Sequence, residues 1–352
     1  MLYNISNMGI LSGQSDFFGL DIGTSSIRVV QLRGGAQRTL FKYGAKAIDS
    51  KISQSDAAAD QQKVAMAVRE LISEVGISAN NVAVGIPSNK VFSAVVDIDR
   101  LSPEDLAKTI KYQADSLIPT PLSESKIDWA LLGDSPKEAS KVEVLISSVA
   151  NDFVEKRLDM LESIGLNVIA FEPDSLAISR ALLDPTAMGA ALMVDMGDVS
   201  SDLIVVLGGV PRLMRTIPIG STGIVKAAMQ NLGIDEKQAE QFVYKFGMSK
   251  DKLEGQIHNA IASSVEILMS EIEKSIKFFS ARYGDAKLER IIVTGAASTL
   301  PELPLNIANK FAVTVEIGNA WRNIMFGQER QNELMTVSHQ FSVAAGLAER
   351  DE

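Results

Sequence analysis

Phe17-Phe18-Gly19-Leu20-Asp21-Ile22-Gly23-Thr24-Ser25-Ser26, running on into Ile27-Arg28-Val29-Val30, decides how this chain folds. An unbroken apolar run stopped by Asp-x-Gly and a small hydroxyl cluster predicts a buried strand, a tight turn and a second strand. The plan returns at Ala191-Leu192-Met193-Val194-Asp195-Met196-Gly197-Asp198-Val199-Ser200-Ser201, followed by Leu203-Ile204-Val205-Val206. Asp21 to Asp195 and Gly23 to Gly197 are the same 174 positions apart. A hairpin repeated at a fixed offset predicts two similar halves facing one cleft, each offering a carboxylate and a backbone turn. That pairing suits a nucleoside triphosphate with its divalent metal.

The turn residues carry the expected chemistry. Gly23, Thr24, Ser25 and Ser26 should gather N–H groups and hydroxyls into a nest for phosphate oxygens, and Gly197, Ser200 and Ser201 should do the same in the second half. Asp21 and Asp195 would hold Mg2+ through water, since magnesium keeps much of its hydration shell. A third turn, Gly295-Ala296-Ala297-Ser298, follows the apolar run 288–294, and its small side chains let a flat base approach the backbone. Gly220 and Ser221 open a helical stretch, where they could cap the helix or touch a ribose. Glu172 and Asp174 sit at a crossover where an acid could orient an attacking water. Each turn taken singly is also consistent with an ordinary tight turn; their repetition and order favour nucleotide.

Around these turns the apolar periodicity outlines an α/β chain of two halves. Strands are expected at about 17–22, 27–33 and 38–48, then a helix over 57–75 whose Val64, Val68, Leu71, Ile72 and Val75 share one face, ended by Gly76. Residues 91–165 read as an inserted lobe of strand, helix, strand, strand and helix, with Asn151 and Asp152 able to cap its last helix. The second half repeats the strand meander at 191–217, adds helices over 222–283, and closes with a strand at 288–294, a short helix, a strand at 313–317 and a helix at 334–349. The domain plan is therefore 17–90 with about 166–190 and 334–352, the lobe 91–165, then 191–220 with 284–333, and 221–283.

Composition narrows the function. The 352 residues suffice for two domains. With 34 Lys and Arg against 44 Asp and Glu the formal charge is −10, which argues against nucleic acid and against anchoring to anionic lipid by bulk charge. There is no cysteine, and the two histidines, His258 and His339, fall in helix-like stretches far from the glycine turns. Disulfides, thiol chemistry, Cys/His zinc sites and a His-dependent triad are thereby disfavoured. No apolar run reaches the ~18 residues of a membrane span. Residues 1–16 lack Lys and Arg, so they read as a mobile leader rather than a secretory signal, and a cytoplasmic location is the expectation.

The three glycine turns in this order resemble the phosphate-1, phosphate-2 and adenosine motifs of the actin/Hsp70/sugar-kinase superfamily. Over about residues 16–350 the chain resembles more closely the PilM family of type IV pilus assembly proteins, in the FtsA/PilM group. That likeness rests on Gly19–Ser26, Ile118-Pro119-Thr120-Pro121-Leu122, Ile127-Asp128-Trp129, Ala239-Glu240 and Val343-Ala344-Ala345-Gly346-Leu347-Ala348. It implies a duplicated ribonuclease-H-like fold with two inserted subdomains, ATP or ADP with Mg2+, and slow hydrolysis or none. It further implies a cytoplasmic scaffold, without membrane insertion of its own, brought to the inner membrane by the N-terminal tail of a PilN-like protein. The lobe 91–165 is then the first place to look for that tail, and self-association is left open.

In the family's Ala-Glu-x-x-Lys element Glu and Lys approach the nucleoside. Here Glu240 is kept but Val243 stands where Lys is expected, and Lys245, two residues on, is turned by roughly 200°. Nucleotide binding is expected to persist, weaker or differently contacted. A sugar- or acetate-type kinase on the same fold and an FtsA-like filament-forming membrane tether are the alternatives.

Overall fold

The structure is a computed structural model, and it describes residues 16–35, 37–284 and 286–351. The leader expected at 1–16 lies, apart from Asp16, outside the described residues. Contacts divide the chain into two compact units, Met1–Ala177 with Val343–Glu352, and Ile178–Ser342. Residues 178–190 and 334–342, read from sequence with the first half, thus lie in the second unit.

The first unit is built on β1 (Phe17–Ile22), β2 (Ser26–Arg33), β3 (Thr39–Ala47), α1 (Ser50–Ser53), α2 (Ala58–Val75), β4 (Asn81–Ile86), β5 (Val91–Asp99), α3 (Pro103–Leu117), β6 (Ser125–Asp134), β7 (Lys141–Ala150), α4 (Asn151–Glu162), β8 (Asn167–Pro173) and the first turn of α5 (Asp174–Leu182), a helix that the unit boundary after Ala177 divides. One mixed sheet runs β3-β2-β1-β4-β8, with β1 antiparallel to β2 and parallel to β4, and β4 parallel to β8. β1 is central, which is why its run is apolar on both faces: Phe18 and Leu20 are fully buried. α2 lays Val64, Ala65, Val68 and Leu71 onto this sheet and ends at Gly76, whose φ of +72° is the left-handed stop that glycine takes without strain.

The inserted lobe is a separate antiparallel sheet, β5-β7-β6, with its own small core. Ser102 caps α3 by accepting the Asp105 N–H, and Pro103 fills the first turn. Leu106, Ile110 and Ala114 then face Val142, Val144 and Ile146 of β7. Ile118 joins this core and Leu122 packs on it, so the Ile-Pro-x-Pro-Leu segment works as the lobe's internal crossover. Asn151 does not cap α4: its amide turns back to the Ser123 carbonyl at 3.0 Å, and Ala150 holds the cap position without a side-chain bond.

The second unit contains β9 (Ala190–Met196), β10 (Ser201–Leu207), β11 (Val210–Ile217), α6 (Ser221–Leu232), α7 (Glu236–Phe246), α8 (Gln256–Arg282), β12 (Leu288–Thr294), α9 (Leu303–Phe311), β13 (Thr314–Ile317) and α10 (Gln331–Val337). Its sheet runs β11-β10-β9-β12-β13, the first unit's order repeated strand for strand. The long helix α8 buries Ile257, Ile261, Val265, Leu268, Ile272 and Phe279 against it, as their spacing of three and four requires. The insertions differ in place: a sheet lobe between β4 and β8, but helices α6–α8 between β11 and β12.

The helix expected over 334–349 is broken. α10 gives way to a 3-10 turn at Ser338–Gln340, and α11 (Ser342–Ala348) starts afresh. The break releases the His339 carbonyl from a helical ladder, and it accepts the Gly295 N–H at 2.7 Å and the Thr294 hydroxyl at 2.8 Å.

α11 lies close against its neighbours in the first unit. A Cβ on Gly346 would sit 1.9 Å from the Ala177 carbonyl oxygen of α5. Helix propensity alone favours Gly346→Ala by about 1 kcal/mol. Overpacking against backbone acts the other way, by about 1–3 kcal/mol, and wins because the carbonyl cannot swing aside. Gly346→Ala should therefore lower the urea midpoint of the protein; a raised midpoint would contradict this packing.

Candidate functional site

Both Asp-x-Gly turns join antiparallel strands in the same register. In the first, Ile22 pairs with Ile27 and Asp21 with Arg28; in the second, Met196 pairs with Ser201 and Asp195 with Asp202. Every one of these positions is related by the sequence offset. A Cβ on Gly23 would lie 2.9 Å from the Ser26 carbonyl oxygen, and one on Gly197 would lie 3.0 Å from that of Ser200. The repeated glycine is thus a steric requirement of a turn built twice.

The first turn is pinned from outside. The Ile48 N–H donates to the Ser25 carbonyl at 2.9 Å, and the Ser53 hydroxyl of α1 donates to the Thr24 carbonyl. With these oxygens committed elsewhere, the loop Gly23-Thr24-Ser25-Ser26 keeps its shape and turns less negative dipole toward an incoming anion. Asp21, 7% exposed, faces Arg28 across the hairpin, with Nη1 3.2 Å from Oδ2. Arg28 went unnoticed as a site residue although it stands in the deciding stretch. The signal was there: across a tight hairpin the strand-end aspartate is opposed by the residue seven positions on, and opposed side chains share one face.

The second turn is clamped on two sides. Gly295, at φ +84°, would place a Cβ 2.4 Å from the Met196 carbonyl oxygen and 2.7 Å from Asp195 Oδ1. Gly220 would place one 2.5 Å from the Asp198 carbonyl oxygen. The first N–H groups of α6 complete the clamp: Ser221 N–H donates to the Gly197 carbonyl at 3.0 Å and Thr222 N–H to the Asp198 carbonyl at 2.9 Å. Asp195, Gly197, Gly220, Ser221 and Gly295 are therefore gathered around the end of β9. Asp198 joins them, its carboxylate accepting the Ser221 hydroxyl at 3.2 Å. It too was missed, as one of several polar turn residues.

Other expected site residues stand further back. The Ser201 hydroxyl donates to the Ile219 carbonyl at 2.6 Å, while Ser200 is half-buried in the turn. Ala297 and Ser298 are fully buried, and the Ser298 hydroxyl donates to the Gly295 carbonyl at 2.7 Å, leaving Ala296 half-exposed beside Gly295. On α7 Glu240 is exposed and Val243 faces the core at 1% exposure. Lys245 is exposed, its ammonium 5.3 Å from the Phe246 ring centre. In the first unit Glu172 is buried at the end of β8, where Arg350 donates to its Oε2 at 3.0 Å, and Asp174 begins α5. A water-orienting role for Glu172 would compete with that ion pair.

The first unit also holds a groove of about 310 Å3 where the lobe meets the five-stranded sheet. β8 is the last strand of one sheet and β6 the last strand of the other, so each borders the groove with an edge that no further strand covers among the described residues. Its walls include Trp129, Leu145, Leu158, Ile169 and Phe171, with Lys126 and Asp128 as its charged residues. Ile169 is 40% exposed.

A five-stranded sheet doubled in one topology, with an Asp-x-Gly turn on each first strand and a glycine turn after β12, defines an actin-like fold. The chain belongs to the type IV pilus assembly protein PilM family, whose model matches residues 19–352. Among solved structures it is similar to the PilM–PilN type IV pilus biogenesis complex, at 21% identity over 96% of this chain and 99% of that one, with a TM-score of 0.82. It is also similar to the ethanolamine utilization protein EutJ from Carboxydothermus hydrogenoformans, at 14% identity over 94% and 88% of the two chains and a TM-score of 0.57. A third likeness is to MreB5 of Spiroplasma citri bound to ADP, at 11% identity over 95% of each chain and a TM-score of 0.55. At these identities the structural likenesses bear on the fold.

Arg28 offers a direct test of the first hairpin. Arg28→Met leaves the Asp21 carboxylate sheltered without its cation, which should cost about 1–3 kcal/mol in urea denaturation. Adding Asp21→Asn should recover part of that loss, as a double-mutant cycle reads it. Additive losses would show that the pair is not coupled.

Proposed function

We propose that this protein is an actin-like, ATP-binding scaffold of a type IV pilus assembly platform, which captures the N-terminal tail of a PilN-like membrane protein in the groove between β6 and β8. The observation that carries this reading is the groove: two sheet-edge strands, each paired with a strand on one side only among the described residues, border an apolar trough of about 310 Å3. An extended peptide satisfies both features at once, its main chain pairing with an edge and alternate side chains filling the trough. A compact sugar would leave the edges unused, so a peptide fits better than a small substrate. No helix among the described residues is long and apolar enough to cross a membrane, so recruitment through the tail is the proposed route to the inner face of the cytoplasmic membrane.

Nucleotide is proposed as the regulator of this scaffold. The steric case is Gly295, whose missing Cβ lets the chain after β12 close on the turn after β9, beside the Met196 carbonyl and Asp195 Oδ1. Asp195 would hold Mg2+ through water, and the turns at 23–26 and 197–201 would take phosphate oxygens. When bound, the metal would supply charge neutralisation for those oxygens. In the first unit Arg28 already supplies a cation at Asp21, so phosphate is proposed to meet the guanidinium there. Because Glu172 is committed to Arg350, slow hydrolysis or none is proposed.

Two measurements test this. Titration with ATP in Mg2+ should show saturable binding; Asp195→Asn should weaken it at least about five-fold in Mg2+ but little in EDTA, and equal loss in both would remove the metal role. Anisotropy of a labelled PilN tail peptide should show capture by the wild type. Ile169→Asp, at an exposed edge position, should weaken capture about ten-fold, roughly 1.4 kcal/mol, without lowering the melting temperature. Absence of capture with ATP, with ADP and without nucleotide would sink the scaffold reading.

A further inference from the structure

The lobe sheet has two faces, and its register sorts them. Val144 and Ile146 of β7, with Ile127 and Trp129 of β6, belong to the small core that α3 covers. Alternation turns the residues between them to the opposite face. There the ladder sets Lys126 against Val149, Asp128 against Ser147 and Ala130 against Leu145. All six line the groove. Its floor is therefore a set of cross-strand rows, each ending on the edge strand β6 with a different chemistry: a cation, an anion, then a methyl group.

The two borders of the groove differ. β8 brings Val168, Ile169, Ala170 and Phe171 to it and no charge, whereas β6 brings both charged residues. Lys126 is exposed, and its ammonium has no ion-pair partner among the described residues. β6 keeps continuous register with β7 from Ser125 to Leu131 and shifts before Gly133, so the straight part of this edge contains Lys126, Asp128 and Ala130. A strand added there sets its own side chains directly opposite these three, about 5 Å away between Cβ atoms. Opposite Lys126 an acidic side chain is attracted and a basic one repelled; opposite Asp128 the preference reverses. A slip of one residue turns the added side chains to the other face, and a slip of two brings each charge against the wrong partner.

We propose that the captured tail pairs with β6 rather than β8, and that Lys126 and Asp128 fix its register by selecting an acidic and a basic residue two positions apart, with an apolar residue two further on opposite Ala130. This rests on the peptide reading of the groove and deepens it by naming the chemistry of the segment. A tail parallel to β6 carries the acidic residue first; an antiparallel tail carries it last, and the spacing is the same in both. The apolar trough and the β8 wall supply affinity, while the charged pair decides which segment, in which register, receives it.

The experiment uses the full chain and the labelled PilN tail peptide, each peptide residue changed singly to Glu and, in a second series, to Lys. Anisotropy at low salt should find one position where Glu binds about three-fold tighter than Lys, and another two residues away where Lys binds about three-fold tighter than Glu. Lys126→Glu should invert the preference at the first position alone, and Asp128→Lys at the second alone. Where Asp128→Lys lowers the melting temperature, Asp128→Asn takes its place and should abolish the second preference. At about 1 M salt, where the Debye length is ~3 Å, both preferences should flatten while capture persists. Preferences that ignore the variants, or that lie at any spacing other than two, overturn the proposal. Capture with equal affinity across both series overturns it too and leaves the scaffold reading standing. A wild type that captures no tail peptide in any nucleotide condition removes the scaffold reading itself, and the selection by Lys126 and Asp128 with it.

Discussion

The end of β9 is the point on which the second unit depends, because three backbones meet there at distances that no side chain allows. The turn after Met196 is covered by Gly295 on one side and Gly220 on the other, each within 2.6 Å, measured from an added Cβ, of a carbonyl oxygen of that turn. Glycine at these places is what lets the strand β12 and the helix α6 close on one loop. Other features follow from this closure. α6 spends its first N–H groups on the turn, and the chain after α10 breaks so that the His339 carbonyl can hold Gly295 from behind. A helix break and a helix start that look unrelated in sequence are both consequences of one crowded loop.

Much of this fold could be read from sequence because its information is local and repeated. The apolar runs of β1 and β9 announce central strands, the stripe on α8 announces one buried face, and the fixed offset between Asp21 and Asp195 announces a duplication. The inserted lobe was legible for the same reason: alternation, a proline-led helix and a glycine stop are each short-range signals. What stayed hidden depends on register or on distant partners. The break at Ser338–Gln340 is driven by a donor more than forty residues away, Gly295, while the local pattern reads as continuous helix. Ser298 looked available for a ligand because its burial is set by the surrounding core, which no window of sequence displays.

The site shows the same division. Glycines and aspartates stand out because they recur; Arg28 and Asp198 do not, because each matters through the residue it faces. Val243 stands where the family element has lysine, and its side chain faces the core at 1% exposure.

Duplication also makes the electrostatics of the two hairpins comparable residue by residue. The strand-end aspartate is opposed by Arg28 in the first and by Asp202 in the second. Asp21 is thus neutralised within its own hairpin, whereas Asp195 and Asp202 are like charges on one face, with Asp202 eased by the Thr216 hydroxyl at 2.6 Å. A guanidinium beside a pinned, glycine-built turn favours phosphate, because its donors match phosphate oxygens in number and direction. Two carboxylates side by side favour a cation, because each lowers the potential the other must bear. One hairpin present twice thus keeps its backbone and register while a single cross-strand partner, Arg28 or Asp202, reverses the charge that its aspartate faces.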